Sequence, residues 1–320
     1  MECLICGNTG KMQEYSVKEM MLGLRTSFVY LLCPECNSLL LADIPVDMDK
    51  YYPKTYYSFS DGNDNSIGVK KNLKILRDKY ILTGQGFAGN LLSLLYPDSS
   101  LDYFKGLESS ARILDVGCGS GTLLRRLRDA GFTNLAGIDP YIQENIFIDN
   151  NIGVRKHTIM DVTGEWDMIV YNHSLEHIKD PLNELIKVSQ LLSENGCCII
   201  RLPVKGSLAW DQYGADWVQI DAPRHVFIPS KEAVGILARK AGLIVTNVTF
   251  DSTAFQFWGS EQYRMDIPLN SPASFSSSPG NSPFSRKRIR EFAKKAEELN
   301  REGRGDQAIF TLKHPHSNKE

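Results

Sequence analysis

The ten residues Ile113-Leu114-Asp115-Val116-Gly117-Cys118-Gly119-Ser120-Gly121-Thr122 constrain the fold more than any other stretch of this chain. Four residues of strand character run into three alternating glycines. Leu123, Leu124, Leu127 and Ala130 then follow at helical spacing before Gly131. Strand, glycine turn and helix make a βα unit in which the glycines let the backbone approach a ligand closely. Short apolar strands recur at 135–138, 168–171, 197–202 and 243–248, with helices expected between them. Asp180-Pro181 opens one helix that runs to Asn195-Gly196, and Ser230 opens another that ends at Gly242. A last strand is expected at 308–312, returning beside 243–248. Such alternation predicts an α/β fold with a doubly wound, mostly parallel sheet.

What the loop can hold follows from its chemistry. A nicotinamide-binding loop requires G-x-G-x-x-G or A, and position 122 is Thr. Asp115, at the mouth of a helix N-terminus, would repel a pyrophosphate. S-adenosylmethionine carries no phosphate and brings an ammonium and a sulfonium, which a carboxylate suits. Asp139 closes the next strand, where an acid can accept hydrogen bonds from both ribose hydroxyls of NAD or of S-adenosylmethionine. It supports nucleoside binding without discriminating between the two.

Through Asp115 to Gly121, Asp139, and Asp161 six residues before Asp167-Met168-Ile169-Val170-Tyr171, the chain resembles the class I S-adenosylmethionine-dependent methyltransferases over about residues 68–320. The resemblance implies a Rossmann-like sheet of seven strands. It also implies that Gly117, Cys118, Gly119 and Gly121 face the methionine and ribose portions of the cofactor. Asp139 and Pro140 would hold the ribose, Asp161 and Val162 would lie near the adenine amine, and Asn172 and His173 would complete the cofactor site. Asp161 read alone is equally a simple turn residue.

Methyl transfer from a sulfonium is an in-line displacement, so holding nucleophile and methyl carbon in line is worth about 7 to 11 kcal/mol at best. A base is needed only for a poorly nucleophilic acceptor. Asn172-His173-Ser174-Leu175-Glu176-His177-Ile178-Lys179-Asp180-Pro181 follows a strand at its carboxyl end, where α/β ligand sites lie, and it resembles the family's LEH-x3-P segment. His177 is a candidate general base, a role worth about 10²- to 10⁴-fold, or a structural residue beside the cofactor loop. His225 is the second candidate. It ends the stretch W-x3-D-A-P-R-H from Trp217, which resembles a methyltransferase subgroup linked to sugar and cell-surface glycan pathways. Trp210, Asp211, Tyr213 and Trp217 suit either the wall of a sugar-like acceptor site or a loop core. Tyr51, Tyr52, Tyr56 and Tyr57 present the same choice, with connector packing favoured.

Seven cysteines are unevenly placed, and Cys3, Cys6, Cys33 and Cys36 form two C-x2-C pairs in the first 36 residues. In a reducing compartment such pairs are better explained by metal ligation than by disulfides. Four thiolates at knuckle spacing, each pair followed by a residue suited to tight turns (Gly7, Asn37), point to tetrahedral zinc, although the ligands alone admit iron. With all four positions filled by thiolates, the metal is expected to be structural and to contribute on the order of 10 kcal/mol to local folding.

The expected organisation is a zinc ribbon at 1–45, a polar, tyrosine-rich connector at 46–67, and a methyltransferase domain at 68–320. That domain begins with helices at 68–80 and 86–96 and contains a mobile low-complexity insert at 271–285. After the insert, Ile289, Phe292, Ala293, Ala296 and Leu299 form one apolar stripe on a basic helix, expected to pack on the domain. With 42% hydrophobic and 23% charged residues and a formal net charge of -2, nothing suggests a polyanion-binding surface. Lys11, Lys18, Arg25 and Lys50 are outnumbered in the first fifty residues by Glu2, Glu14, Glu19, Glu35, Asp43, Asp47 and Asp49. Nucleic acid is therefore the less favoured partner. No run approaches the roughly 18 apolar residues a membrane span needs, and Met1-Glu2-Cys3 begins neither a basic nor an apolar leader, so the expected location is the cytoplasm. Three functions stand: methylation of a small sugar-like or glycan-linked acceptor, RNA methylation, and a catalytically silent interaction protein on the same fold.

Overall fold

The computed structural model describes residues 2–53, 68–96, 98–149 and 151–315; Tyr56 and Tyr57 of the connector lie outside them. Three strands come first: β1 (Gln13–Lys18), β2 (Ser27–Leu32) and β3 (Leu39–Leu41). Helices α1 (Val69–Thr83) and α2 (Phe87–Leu95) precede β4 (Arg112–Val116), α3 (Thr122–Ala130) and β5 (Asn134–Ile138). Then come β6 (Ile146–Asp149), β7 (Ile152–Arg155), β8 (Trp166–Asn172), α4 (Pro181–Leu191) and β9 (Leu192–Pro203). The rest comprises α5 (Leu208–Tyr213), β10 (Phe227–Ile228), α6 (Lys231–Lys240), β11 (Ile244–Phe250), α7 (Phe255–Arg264), α8 (Arg286–Arg301) and β12 (Gln307–Lys313). Local chemistry sets several of these boundaries. Asp180 Oδ1 accepts from the Asn183 N–H at 3.1 Å where α4 begins, and Ser230 Oγ accepts from Ala233 N at 3.0 Å to cap α6.

The chain divides into two compact units, one of residues 1–53, 173–186 and 200–320, the other of 54–172 and 187–199. In the second, β4 lies between β5 and β8, parallel to both, and β5 is parallel to β7. Ile113, Leu114, Val116, Met168, Ile169, Val170 and Tyr171 are buried, the near-continuous apolar run of a parallel sheet covered on both faces. The chain leaves β4 outward through β5 and β7 and returns to β8 on the opposite side of β4. The carboxyl ends of β4 and β8 thus form a topological switch point, where open α/β sheets bind ligands.

The larger sheet has eight strands, in the order β11-β12-β9-β8-β4-β5-β7-β6, where seven were expected. The strands located from the sequence include neither β7 nor β6, which is antiparallel to β7 at the sheet's edge. The four residues of β6 are alternately half-buried and exposed, too short a pattern to read as a strand from sequence. At the other end β11 and β12 are antiparallel, as the return of the last strand requires.

In the first unit β1, β2, β3 and β10 form an antiparallel sheet, so residues 227–228 complete the sheet of the cysteine-bearing segment. Val17, Tyr30, Leu39 and Leu41 share a core with Trp210, Trp217, Phe257, Phe292, Ala296 and Leu299. The stripe on α8 is thereby packed. The 271–285 segment is bound to α7 at two of its residues. Gln262 of α7 accepts from Phe275 N at 2.8 Å and donates to Ser274 Oγ at 3.1 Å, and both Gln262 and Ser274 are fully buried. Among the described residues no helix is long and apolar enough to cross a membrane.

Candidate functional site

The glycine loop leaves β4 with Gly117, Gly119 and Gly121 all at positive φ (71°, 54° and 77°), which side chains strain to adopt. Gly117 N and Cys118 N donate to Ile138 O at 2.8 and 3.3 Å, and Gly119 N donates to Asp139 Oδ2 at 2.9 Å. Tyr141 N, just beyond exposed Pro140, donates to the other oxygen of Asp139 at 2.8 Å. The loop and the strand-end acid are thus one hydrogen-bonded unit.

Asp115 is buried, and its burial together with the charge of Asp139 pushes its carboxyl up to about 7. Burial, then Asp115 and Asp139, hold the Cys118 thiol well above its ordinary range, so it stays protonated. Two buried carboxylates beside a bent glycine backbone fit a ligand that brings a cation and hydroxyls. Asp161 and buried Val162 lie at the turn of residues 159–161, where Thr158 N and Thr158 Oγ1 donate to Asp161 Oδ2 at 2.9 and 2.8 Å. Asn172 is the last residue of β8 and is half-buried.

In the first unit the structure brings His177 and His225 together, their ring centroids 4.8 Å apart with planes at 65°. His177 is the last residue of a short helical turn at 175–177, and Val226 N donates to Glu176 O at 2.8 Å, which ties the His225 segment to that turn. His177 Nδ1 lies 2.8 Å from Arg224 O and 3.0 Å from the Tyr52 hydroxyl; His225 Nδ1 lies 2.8 Å from Gln219 O. A carbonyl oxygen only accepts, so both Nδ1 atoms carry a proton, and in the neutral ring the lone pair then lies on Nε2. His173, at φ 55°, is clamped by its N–H to Arg201 O at 2.8 Å, and its Nδ1 stands 3.4 Å from Glu176 Oε1.

Sequence reasoning missed the residues that surround the two histidines. Glu176 is fully buried, and neither carboxylate oxygen has a hydrogen-bond partner of good geometry among the described residues. Burial works against its charge, but the His173 contact and the neighbouring imidazoles outweigh it and hold the carboxyl at about 2. Burial, reinforced by His177, pulls His225 down to about 4 despite Glu176 and Asp221. Arg224, also fully buried, donates from Nε and Nη2 to the two oxygens of Asp221 at 2.8 and 2.6 Å. Nη2 also reaches Glu19 Oε1 at 3.2 Å, and Nη1 reaches Tyr51 O at 3.3 Å. Asp221 and Arg224 were legible as neighbours of His225 in the D-A-P-R-H stretch, whereas nothing near Glu19 signalled a partner about two hundred residues away. Trp217 belongs to the core: it is fully buried and its Nε1 donates to Asp306 Oδ2 at 3.0 Å.

The four N-terminal cysteines also converge. Cys3 and Cys36 sulfurs are 3.6 Å apart, as are those of Cys6 and Cys33, and all four lie within 4.8 Å of one another. Four thiolates around one zinc at about 2.3 Å would stand about 3.8 Å apart. The knuckle turns are built as the sequence suggested, with Gly7 at φ 85° and Asn37 at φ 54°.

Comparison with known proteins bears on the second unit most directly. Residues 92–248 match the family described as Methyltransferase domain. No curated protein matches the chain. Among solved structures it is similar to a chain of the complex between the Haloferax volcanii Trm112 methyltransferase activator and a methyltransferase, at 17% identity and TM-score 0.44, covering 67% of this chain and 86% of that one. The [4+2]-cyclase SpnF is similar at 16% identity and TM-score 0.44 over 72% of this chain and 82% of its own. Geranyl diphosphate methyltransferase is similar at 14% identity and TM-score 0.44 over 67% and 82%. Residues 92–248, just under half of the chain, are thus similar to a methyltransferase domain, and the sheet they contribute to is mostly parallel.

Proposed function

We propose that the protein transfers the methyl group of S-adenosylmethionine to a small acceptor of the sugar or glycan-linked class. The observation that carries this reading is the buried acid pair Asp115 and Asp139 beside the glycine loop of a matched methyltransferase domain. Asp115 would face the cofactor's ammonium, Asp139 its ribose hydroxyls, and Asp161 and Val162 its adenine. When bound, the cofactor supplies an electrophilic methyl carbon. His177 and His225 would be the acceptor-activating side chains, the neutral ring of each offering Nε2 to a hydroxyl proton, and Glu176 would stabilise the imidazolium that results. Arg224, locked between Asp221 and Glu19, holds the backbone carbonyl that orients His177. Cys3, Cys6, Cys33 and Cys36 would hold a structural zinc. A sugar-like acceptor is favoured by the resemblance of the W-x3-D-A-P-R-H stretch and by the polar side chains around His225; Trp217 is a core residue and takes no part in the acceptor wall.

The test is incubation of the full chain with S-adenosylmethionine carrying a labelled methyl group and a panel of nucleotide sugars. Label appearing on a sugar supports the reading. Label that passes to RNA and to no sugar would replace it with the RNA-methylating alternative.

A further inference from the structure

Beyond methyl transfer, we infer that Glu176, His177 and His225 form a binding site for one divalent first-row transition ion, separate from the four cysteines. A nitrogen of each imidazole and a carboxylate oxygen of Glu176 lie within 4.8 Å of one another, with His225 Nε2 3.8 Å from Glu176 Oε1. Small inward movements of these side chains bring such a set to the bond lengths of about 2.0 to 2.2 Å that imidazole and carboxylate ligands take.

Two further observations point the same way. Each imidazole has its Nδ1 proton committed to a backbone carbonyl, Arg224 O for His177 and Gln219 O for His225. Outer hydrogen bonds of this kind fix the tautomer of metal-ligating histidines and leave Nε2 for the ion. Glu176, meanwhile, is a fully buried carboxylate whose two oxygens have no well-aligned donor among the described residues, although a carboxylate out of water needs a cation or several donors. Among the described residues the groups beside it are imidazoles, with His173 Nδ1 3.4 Å and His225 Nε2 3.8 Å from Oε1, while the guanidinium of Arg224 is shared between Asp221 and Glu19. Two imidazoles and one carboxylate suit zinc, iron, cobalt or nickel better than calcium or magnesium, whose ligands are oxygens. Three protein ligands leave coordination positions for an acceptor's hydroxyl oxygens. In the occupied site the three side chains serve as ligands, and the acceptor is activated by coordination in place of a histidine base.

Cobalt(II) alone is the probe. Protein whose four cysteines have been filled with zinc is titrated with cobalt(II) and followed by visible absorption and by elemental analysis. The expected result is one further equivalent per chain, with weak ligand-field bands and no thiolate-to-cobalt charge transfer. His225→Gln and Glu176→Gln should each weaken that equivalent at least tenfold while keeping the zinc equivalent, which shows that the variants are folded around the cysteines. Absence of a second equivalent in the wild-type protein overturns the inference, as does a second equivalent that both variants keep. Neither outcome touches S-adenosylhomocysteine binding, so failure of the ion site and failure of the methyl-transfer reading are separable.

Discussion

The backbone N–H of Gly119 donates to Asp139 Oδ2 at 2.9 Å, while Tyr141 N takes the other oxygen at 2.8 Å. One carboxylate therefore holds the glycine loop and the turn after β5 together. Asn at this position accepts at one oxygen only and turns an amide N–H toward a second donor. Asp139→Asn is expected to lose about 1 to 3 kcal/mol of stability and to bind S-adenosylhomocysteine about ten- to a hundredfold more weakly. Thermal unfolding and calorimetry of the purified variant check both.

Asp115 should make the ligand-free protein less stable as pH rises. Its carboxyl is raised from an ordinary 3.8 to about 7. A group that holds its proton more tightly when folded contributes fully below about pH 4, and that contribution is lost as pH climbs through 7. The swing is at most about 4 kcal/mol. Asp115→Asn should flatten the melting temperature between pH 5 and 8. A wild-type curve that rises over this interval while the variant's stays flat would remove the assignment.

Much of the chain was legible because its signals are local. Apolar runs marked β4, β5, β8 and β9, Asp180 and Ser230 marked helix starts, and the residue after each C-x2-C marked a left-handed turn. What escaped depended on distant partners. β10 is two residues long and becomes a strand only by pairing with Leu39 and Leu40. Glu19 becomes a site residue only through Arg224. The serine-rich 271–285 segment has the composition of a loop, and the hydrogen bonds of Ser274 and Phe275 to the side chain of Gln262 are ones that no pattern within the segment encodes.

Cys33→Ser tests the proposed zinc. It should abolish stoichiometric zinc and destabilise the first unit, because Tyr30 and Leu39 on neighbouring strands are part of the core around Trp217. Binding of S-adenosylhomocysteine should persist, since the glycine loop belongs to the other unit. Elemental analysis paired with calorimetry reads both; full zinc retention would contradict the ligand assignment.

Trp217→Phe removes the indole N–H that reaches Asp306 and leaves a buried carboxyl, already raised to about 6 by burial, short of a donor. A loss of about 1 to 3 kcal/mol in unfolding free energy is expected, without a change in acceptor KM. A variant as stable as wild type with a severalfold higher acceptor KM would return Trp217 to the acceptor wall.

Calorimetric titration of the full chain with S-adenosylhomocysteine reads cofactor binding at the glycine loop itself. Saturable binding at one site per chain, weakened at least tenfold in Asp139→Asn, is the predicted result. No binding by protein that unfolds cooperatively would contradict the assignment of the glycine loop and leave the fold a scaffold without this cofactor.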